Sequence, residues 1–190
     1  PSESGTREHL WDVAFVDEWV GYAVGDNGTI LNTEDGGVNW SSQFISGMSL
    51  YGINFVDKEI GWAVGSKGAI LKTVDGGVTW RTQKSGITAT LHSVFFINRD
   101  IGWVVGEYGT LIKTEDGGET WARRPSGIDG DLQDVSFVDE KIGWAVGTEG
   151  NLIHSSDGGS HWATDGRMGY TDINSVTAMD KNLVFAAGDT

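Results

Sequence analysis

Four aspartates in this chain share one setting. Asp35, Asp75, Asp116 and Asp157 each stand in a Ser/Thr-x-Asp-x-Gly-x-x-Trp block that closes on Trp40, Trp80, Trp121 and Trp162 respectively. Carboxylates at a recurring position suggest acid–base catalysis or calcium ligation. A catalytic group, however, needs no copy in every repeat, and the same residues suit a hairpin turn. There the carboxylate accepts backbone N–H bonds, the glycine pair takes positive φ, and the tryptophan folds back over the turn. A tryptophan held in this way buries about 150–250 Å². A second pair, Asp12 and Asp134, offers the two carboxyl groups that a glycoside hydrolase uses. His9, His92, His154 and His161 lack metal-ligand spacing, and the acidic stretch with Asp129, Asp131 and Asp134 lacks the pattern of a calcium loop. With no cysteine there is no thiolate zinc site, cysteine nucleophile or disulfide. No metal and no cofactor is expected. Asn27-Gly-Thr29 and Asn39-Trp-Ser41 match the glycosylation acceptor, which matters only in a eukaryotic secretory setting.

The elements that carry these residues repeat. The block Leu-Trp-Asp-Val-Ala-Phe-Val-Asp at 10–17 returns at 50–57, 91–98, 132–139 and, weakened, 173–180. A second block, Gly-Tyr-Ala-Val-Gly at 21–25, returns at 61–65, 102–106 and 143–147, and survives at 185–188 as Phe-Ala-Ala-Gly. Side chains alternate with period two, and turn residues interrupt the apolar runs roughly every 8–12 residues. Four strands fit each repeat: in the first, A over 10–16, B over 21–25, C over 29–33 and D over 39–44. A unit of about 40 residues with four short antiparallel strands is the mark of a propeller blade. The expected fold is all-β, a single β-propeller domain over 1–190 built of four-stranded antiparallel blades. The blades fall at 10–49, 50–90, 91–131 and 132–172, with the first half of a fifth at 173–190. Tyr22, Trp62, Trp103, Trp144 and Phe185 share one strand-B position and are expected to pack between blades.

Recurring residues hold such a fold together, so recognition belongs where the copies differ. Strand A begins at the face formed by the B–C turns and D–A loops. Its second position reads Trp11, Tyr51, His92, Gln133 and Asn174, and its third includes Asp12 and Asp134. These residues are expected to ring the mouth of a central channel and bind a protein or glycan, with Trp11 and Tyr51 as stacking surfaces.

The Ser/Thr-x-Asp-x-Gly-x-x-Trp block resembles the Asp-box, or BNR repeat. Joined to Leu-x-x-Val-x-Phe-Val-Asp and Ile-Gly-Trp-Ala-Val-Gly, it is similar to the photosystem II assembly and stability factor family over residues 10–188. That resemblance implies a non-catalytic propeller of about seven blades, lumenal or periplasmic, that binds a membrane protein during assembly. It also implies an arginine-rich patch toward the partner, for which the chain offers Arg81, Arg123, Arg124 and Arg167. A sialidase, also an Asp-box propeller, needs an arginine triad, and the six arginines here are scattered. The alternatives are a carbohydrate-active module and a structural protein that assembles through its half blade.

A net charge of −14 argues against nucleic acid and anionic lipid as partners. No apolar run reaches the roughly 18–20 residues that span a bilayer, so no membrane insertion is expected. Residues 1–10 are too polar for a signal peptide, although an extracytoplasmic location is expected from the resemblance. A half blade leaves strand B as an open edge, which a second copy of the chain could complete as a homo-oligomer.

Overall fold

The structure, a computed structural model, describes residues 4–167, 169 and 171–189, with the side chain of Arg167 outside the described part. It divides into two compact units, residues 1–90 and 91–190. The first unit holds two four-stranded antiparallel sheets. One runs β1 (Leu10–Phe15), β2 (Gly21–Gly25), β3 (Thr29–Thr33), β4 (Ser41–Phe44). The other runs β5 (Leu50–Phe55), β6 (Gly61–Gly65), β7 (Ile70–Thr73), β8 (Arg81–Gln83). In the second unit the third sheet comprises β9 (Leu91–Phe96), β10 (Gly102–Gly106), β11 (Thr110–Thr114) and β12 (Ala122–Arg123). The fourth comprises β13 (Leu132–Phe137), β14 (Gly143–Gly147), β15 (Asn151–Ser155) and β16 (Ala163–Arg167), and β17 (Ile173–Asp180) pairs with β18 (Leu183–Gly188). These are all-β propeller blades, each a meander in chain order. No helix among the described residues is long and apolar enough to cross a membrane.

Strand D of the first blade begins at Ser41, two residues later than the sequence pattern suggests. The Asp-box turn takes up the difference: the backbone and side-chain amides of Asn39 both donate to Asp35, at 2.9 and 2.8 Å, which keeps Asn39 out of the ladder.

Adjacent blades join through a repeated aromatic seat. The innermost strand of each blade ends in a phenylalanine lying over the glycine that opens the next strand. A Cβ on Gly61 would come within 2.6 Å of Phe55, and one on Gly143 within 2.4 Å of Phe137, so only glycine fits. On the other side of that ring lies the strand-B aromatic of the preceding blade. Tyr22 stacks on Phe55 at 3.8 Å and 9°, and Trp103 on Phe137 at 3.6 Å and 9°. The Asp-box tryptophan of the receiving blade meets the same ring edge-on, Trp80 at 6.0 Å and Trp162 at 5.8 Å. The polar tip of the incoming side chain is also held. Tyr22 Oη donates to the carbonyl of Gly76 at 2.9 Å, and Trp103 Nε1 to that of Gly158 at 3.1 Å.

Around these seats lie the cores. In the first unit Val24, Ile30, Leu50, Ile53, Ala63 and Leu71 are buried together with Tyr22. In the second, Val105, Leu111, Leu132, Val135 and Ile153 surround Trp103 and Phe137, and a smaller group of Val146, Ile173 and Val176 joins the fourth sheet to β17–β18.

Candidate functional site

The four Asp-box carboxylates are absorbed by their own turns. Asp35 accepts from Thr33 Oγ1 at 2.8 Å and from Asn39, while Gly37 N–H donates back to Thr33 Oγ1 at 2.9 Å. The same set recurs around Asp75 with Thr73 and Thr79, and around Asp116 with Thr114 and Thr120. Asp157 repeats it with Ser155 and His161. Gly36 and Gly37 take φ of 72° and 86°, which lets both amides face inward. Donors hold these carboxyls below their usual range, Asp116 at about 2 through the Thr120 hydroxyl first and Asp157 at about 2 through the His161 backbone N–H first. Trp40, Trp80, Trp121 and Trp162 lie edge-on to Phe15, Phe55, Phe96 and Phe137 of their own blades. Among the described residues no group of three or more acidic or imidazole side chains is arranged to hold a metal ion.

The residues that vary between copies are positioned by a different device. In every innermost strand the pairing register slips by one residue, between Leu10 and Asp12 in β1 and between Leu50 and Gly52 in β5. The slip recurs in β13 between Leu132 and Asp134 and in β17 between Ile173 and Ser175. In β9, Leu91 and Ser93 face Gly106 and Val105, leaving His92 extra. Trp11, Tyr51, His92, Gln133 and Asn174 are therefore β-bulge residues, released from the alternation of the strand and re-aimed by it.

In the first unit Trp11 is 56% exposed and meets half-buried Tyr51 edge-on, with ring centroids 5.7 Å apart and planes at 64°. Its indole N–H donates to Asp26 at 2.9 Å, and His9 flanks it at 6.3 Å. In the second unit His92 Nδ1 lies 3.1 Å from the carbonyl of Leu132, Asn174 donates to Asp189 at 3.1 Å, and Gln133 is half-buried.

Asp12 and Asp134 are tied to the backbone. Asp12 accepts from its neighbour Val13 N–H and, through its other oxygen, from Ile53 N–H in the next blade, both at 2.8 Å. Asp134 accepts from Val135 and Val176 N–H at 2.9 and 2.8 Å and from the hydroxyls of Ser93 and Ser175 at 2.7 and 3.1 Å. It thus links β9, β13 and β17. Burial pushes its carboxyl above the usual range, against the pull of four donors.

One feature has no counterpart in the sequence reading. The B–C turns carry Asn27, Lys67, Tyr108 and Glu149 at φ of 55–59°, a conformation common for asparagine but costly for the other three. In the second unit Tyr108, 76% exposed, faces Arg123, Arg124 and Asp129 across an open groove of about 500 Å³. Its backbone is held by a bond from Tyr108 N–H to Asp131 at 3.0 Å. Arg124 Nε is buried in the groove wall and finds no acceptor among the described residues. Arg81 is exposed on β8 of the first unit, and the Arg167 side chain lies outside the described residues. A strained turn residue beside two arginines some fifteen positions later leaves no local pattern, and only the variability of the D–A loops hinted at it.

The profile of a family described as photosynthesis system II assembly factor YCF48 matches residues 2–49, 45–126 and 82–164. Among curated proteins none matches the chain. Of solved structures, YCF48 bound to D1 peptide aligns with TM-score 0.74 and 20% identity over 92% of this chain. The chain spans 58% of that protein's length. YCF48 from Cyanidioschyzon merolae aligns with TM-score 0.54 and 16% identity, covering 97% of this chain and 94% of that one. An ancestral GH74 enzyme aligns with TM-score 0.72 and 13% identity, over 92% of this chain and 28% of the enzyme. At such identities these likenesses establish the propeller fold.

Proposed function

Because the chain belongs to the photosynthesis system II assembly factor YCF48 family, we propose that it is a non-catalytic, extracytoplasmic propeller that holds a segment of a client protein. The binding face is the one where the B–C turns, the D–A loops and the bulges lie. The observation that carries this reading is the exposed pair of Trp11 and Tyr51, set on bulges at positions that differ in every blade. Rings at 64° form a notch that receives an apolar side chain, whereas a sugar ring needs a flat parallel face. A protein client is therefore favoured over a glycan. In the second unit, Arg123 and Arg124 beside Tyr108 would take a carboxylate of the client, and His92, Gln133 and Asn174 would add polar contacts. The engagement of Asp12 and Asp134 by backbone amides supports the non-catalytic reading, since neither carboxylate stands free to move a proton. The relative solved with a D1 peptide supports a client of the same kind.

The test is fluorescence anisotropy with a labelled D1 peptide. Saturable binding is expected, weakened at least about tenfold in a folded Trp11→Ala, Tyr51→Ala double variant. Unchanged affinity in that variant would move the site elsewhere, and no binding by the parent chain would remove the photosystem client.

A further inference from the structure

We propose that the outer face of the first blade is a receptor for another blade of this same repeat, selective for one carrying tryptophan or tyrosine at the strand-B aromatic position. The two seats already described define what such a face receives. Each consists of a strand-A phenylalanine, an upright Asp-box tryptophan and a glycine carbonyl. Tyr22 fills the seat of Phe55, Trp80 and Gly76, and Trp103 that of Phe137, Trp162 and Gly158.

Blade one contains the same three parts. Phe15 meets Trp40 at 6.2 Å and 84°, against 6.0 Å and 88° for Phe55 with Trp80 and 5.8 Å and 90° for Phe137 with Trp162. Gly36 has φ of 72°, between the 68° of Gly76 and the 76° of Gly158. What differs is occupancy. A Cβ on Gly77 would meet Tyr22 at 3.0 Å, and one on Gly159 would meet Trp103 at 2.6 Å. At Gly37 the nearest atoms are those of Trp40 itself, at 3.5 Å. Phe15 is 50% exposed where Phe137 is 3%. Leu10, Val13 and Trp40 line a hollow of about 350 Å³ with Ala23 and Leu31 at its floor. Exposed apolar surface of this shape marks an interface.

The glycine carbonyl sets the choice of occupant. Phe185 takes the strand-B position on β18 and is 59% exposed, so a second copy of the chain can present a ring to Phe15. Phenylalanine has no donor, and stacking it would cover the Gly36 carbonyl without a partner. Head-to-tail contact between copies is thereby disfavoured, while a tryptophan or tyrosine satisfies both the ring and the carbonyl.

Sedimentation velocity on the 190-residue chain and its Phe185→Trp variant tests the idea, the variant copy serving as the probe. The F185W chain should self-associate at least about tenfold more tightly than the parent. That gain should vanish when Phe15→Ala is added. It should vanish equally with Val13→Glu, which places a charge on the 57% exposed Val13 without touching the seat's rings. F185W chains as weakly associated as the parent would overturn the proposal. So would association that survives both F15A and V13E, because contact would then run through another surface.

Discussion

Tyr22 allows the stacking and the hydrogen bond of one seat to be weighed separately. Tyr22→Phe removes a single oxygen from a side chain only 3% exposed and leaves the ring on Phe55. What is lost is the 2.9 Å bond to Gly76, whose carbonyl lies in a half-buried turn where water recovers part of the interaction. The cost should be about 1 kcal/mol, or roughly 2–4 °C in Tm for a chain of this size. Tyr22→Ala removes the stacked ring as well and leaves a cavity against Phe55 and Gly77, for about 3–5 kcal/mol and roughly 6–20 °C. Calorimetry should resolve the two. Alkaline pH adds a second axis. Burial first, then the negative charge of Glu34, pushes the Tyr22 hydroxyl above its ordinary value of 10.0. The fold favours the protonated form, so this contribution is complete below the unfolded value and lost as pH rises through it. The gap between the parent and Y22F should therefore narrow above pH of about 10. If Y22F cost nothing and the gap ignored pH, the carbonyl would need no donor, and the selectivity argued for the first blade would fall with it. If Y22F cost as much as Y22A, stacking would not be the larger contribution.

Asp134→Asn should cost about 1–3 kcal/mol at neutral pH, because the amide cannot accept from both backbone N–H groups and both hydroxyls. Since the carboxyl is raised above 3.8, the parent should also gain stability as pH falls through the folded value toward 3.8, and the variant should lack that share in urea melts at stepped pH. Gly143→Ala should destabilise by about 1–3 kcal/mol, because a Cβ 2.4 Å from the Phe137 ring must displace the ring on which Trp103 stacks. Near-ultraviolet circular dichroism would report that displacement.

The framework was largely legible because its rules are local and repeat. Strands B and C of the first blade, at 21–25 and 29–33, match β2 and β3 residue for residue, since glycines and threonines bound the apolar runs. Strand D was read too long because the pattern does not say that Asn39 is bonded into the turn. The variable positions Trp11 and Tyr51 were also visible, but the reason they project was not. Its trace lay in the spacing Leu-x-x-Val, since Leu10 and Val13, or Leu50 and Ile53, stand three apart in strands of period two. Asp12 and Asp134 read as free carboxylates because the amides they accept from, those of Ile53 and Val176, lie some forty residues away. Nothing in a single repeat points across a blade boundary. The groove beside Tyr108 escaped for the same reason.

The bulges carry a consequence for how such a protein changes over time. In an unbroken strand, parity ties each side chain to one face, and an insertion or deletion exchanges core for surface along the rest of the strand. Residues 11, 51, 92, 133 and 174 stand outside that parity. Substitution there alters what the face can hold while the pairs Leu10–Gly25 and Val13–Ala23 stay as they are. Removal of any one residue would instead turn the following strand inside out. The chain thus keeps its recognition surface and its framework under separate inheritance: one is free to drift in side-chain identity, and the other is bound to keep its length.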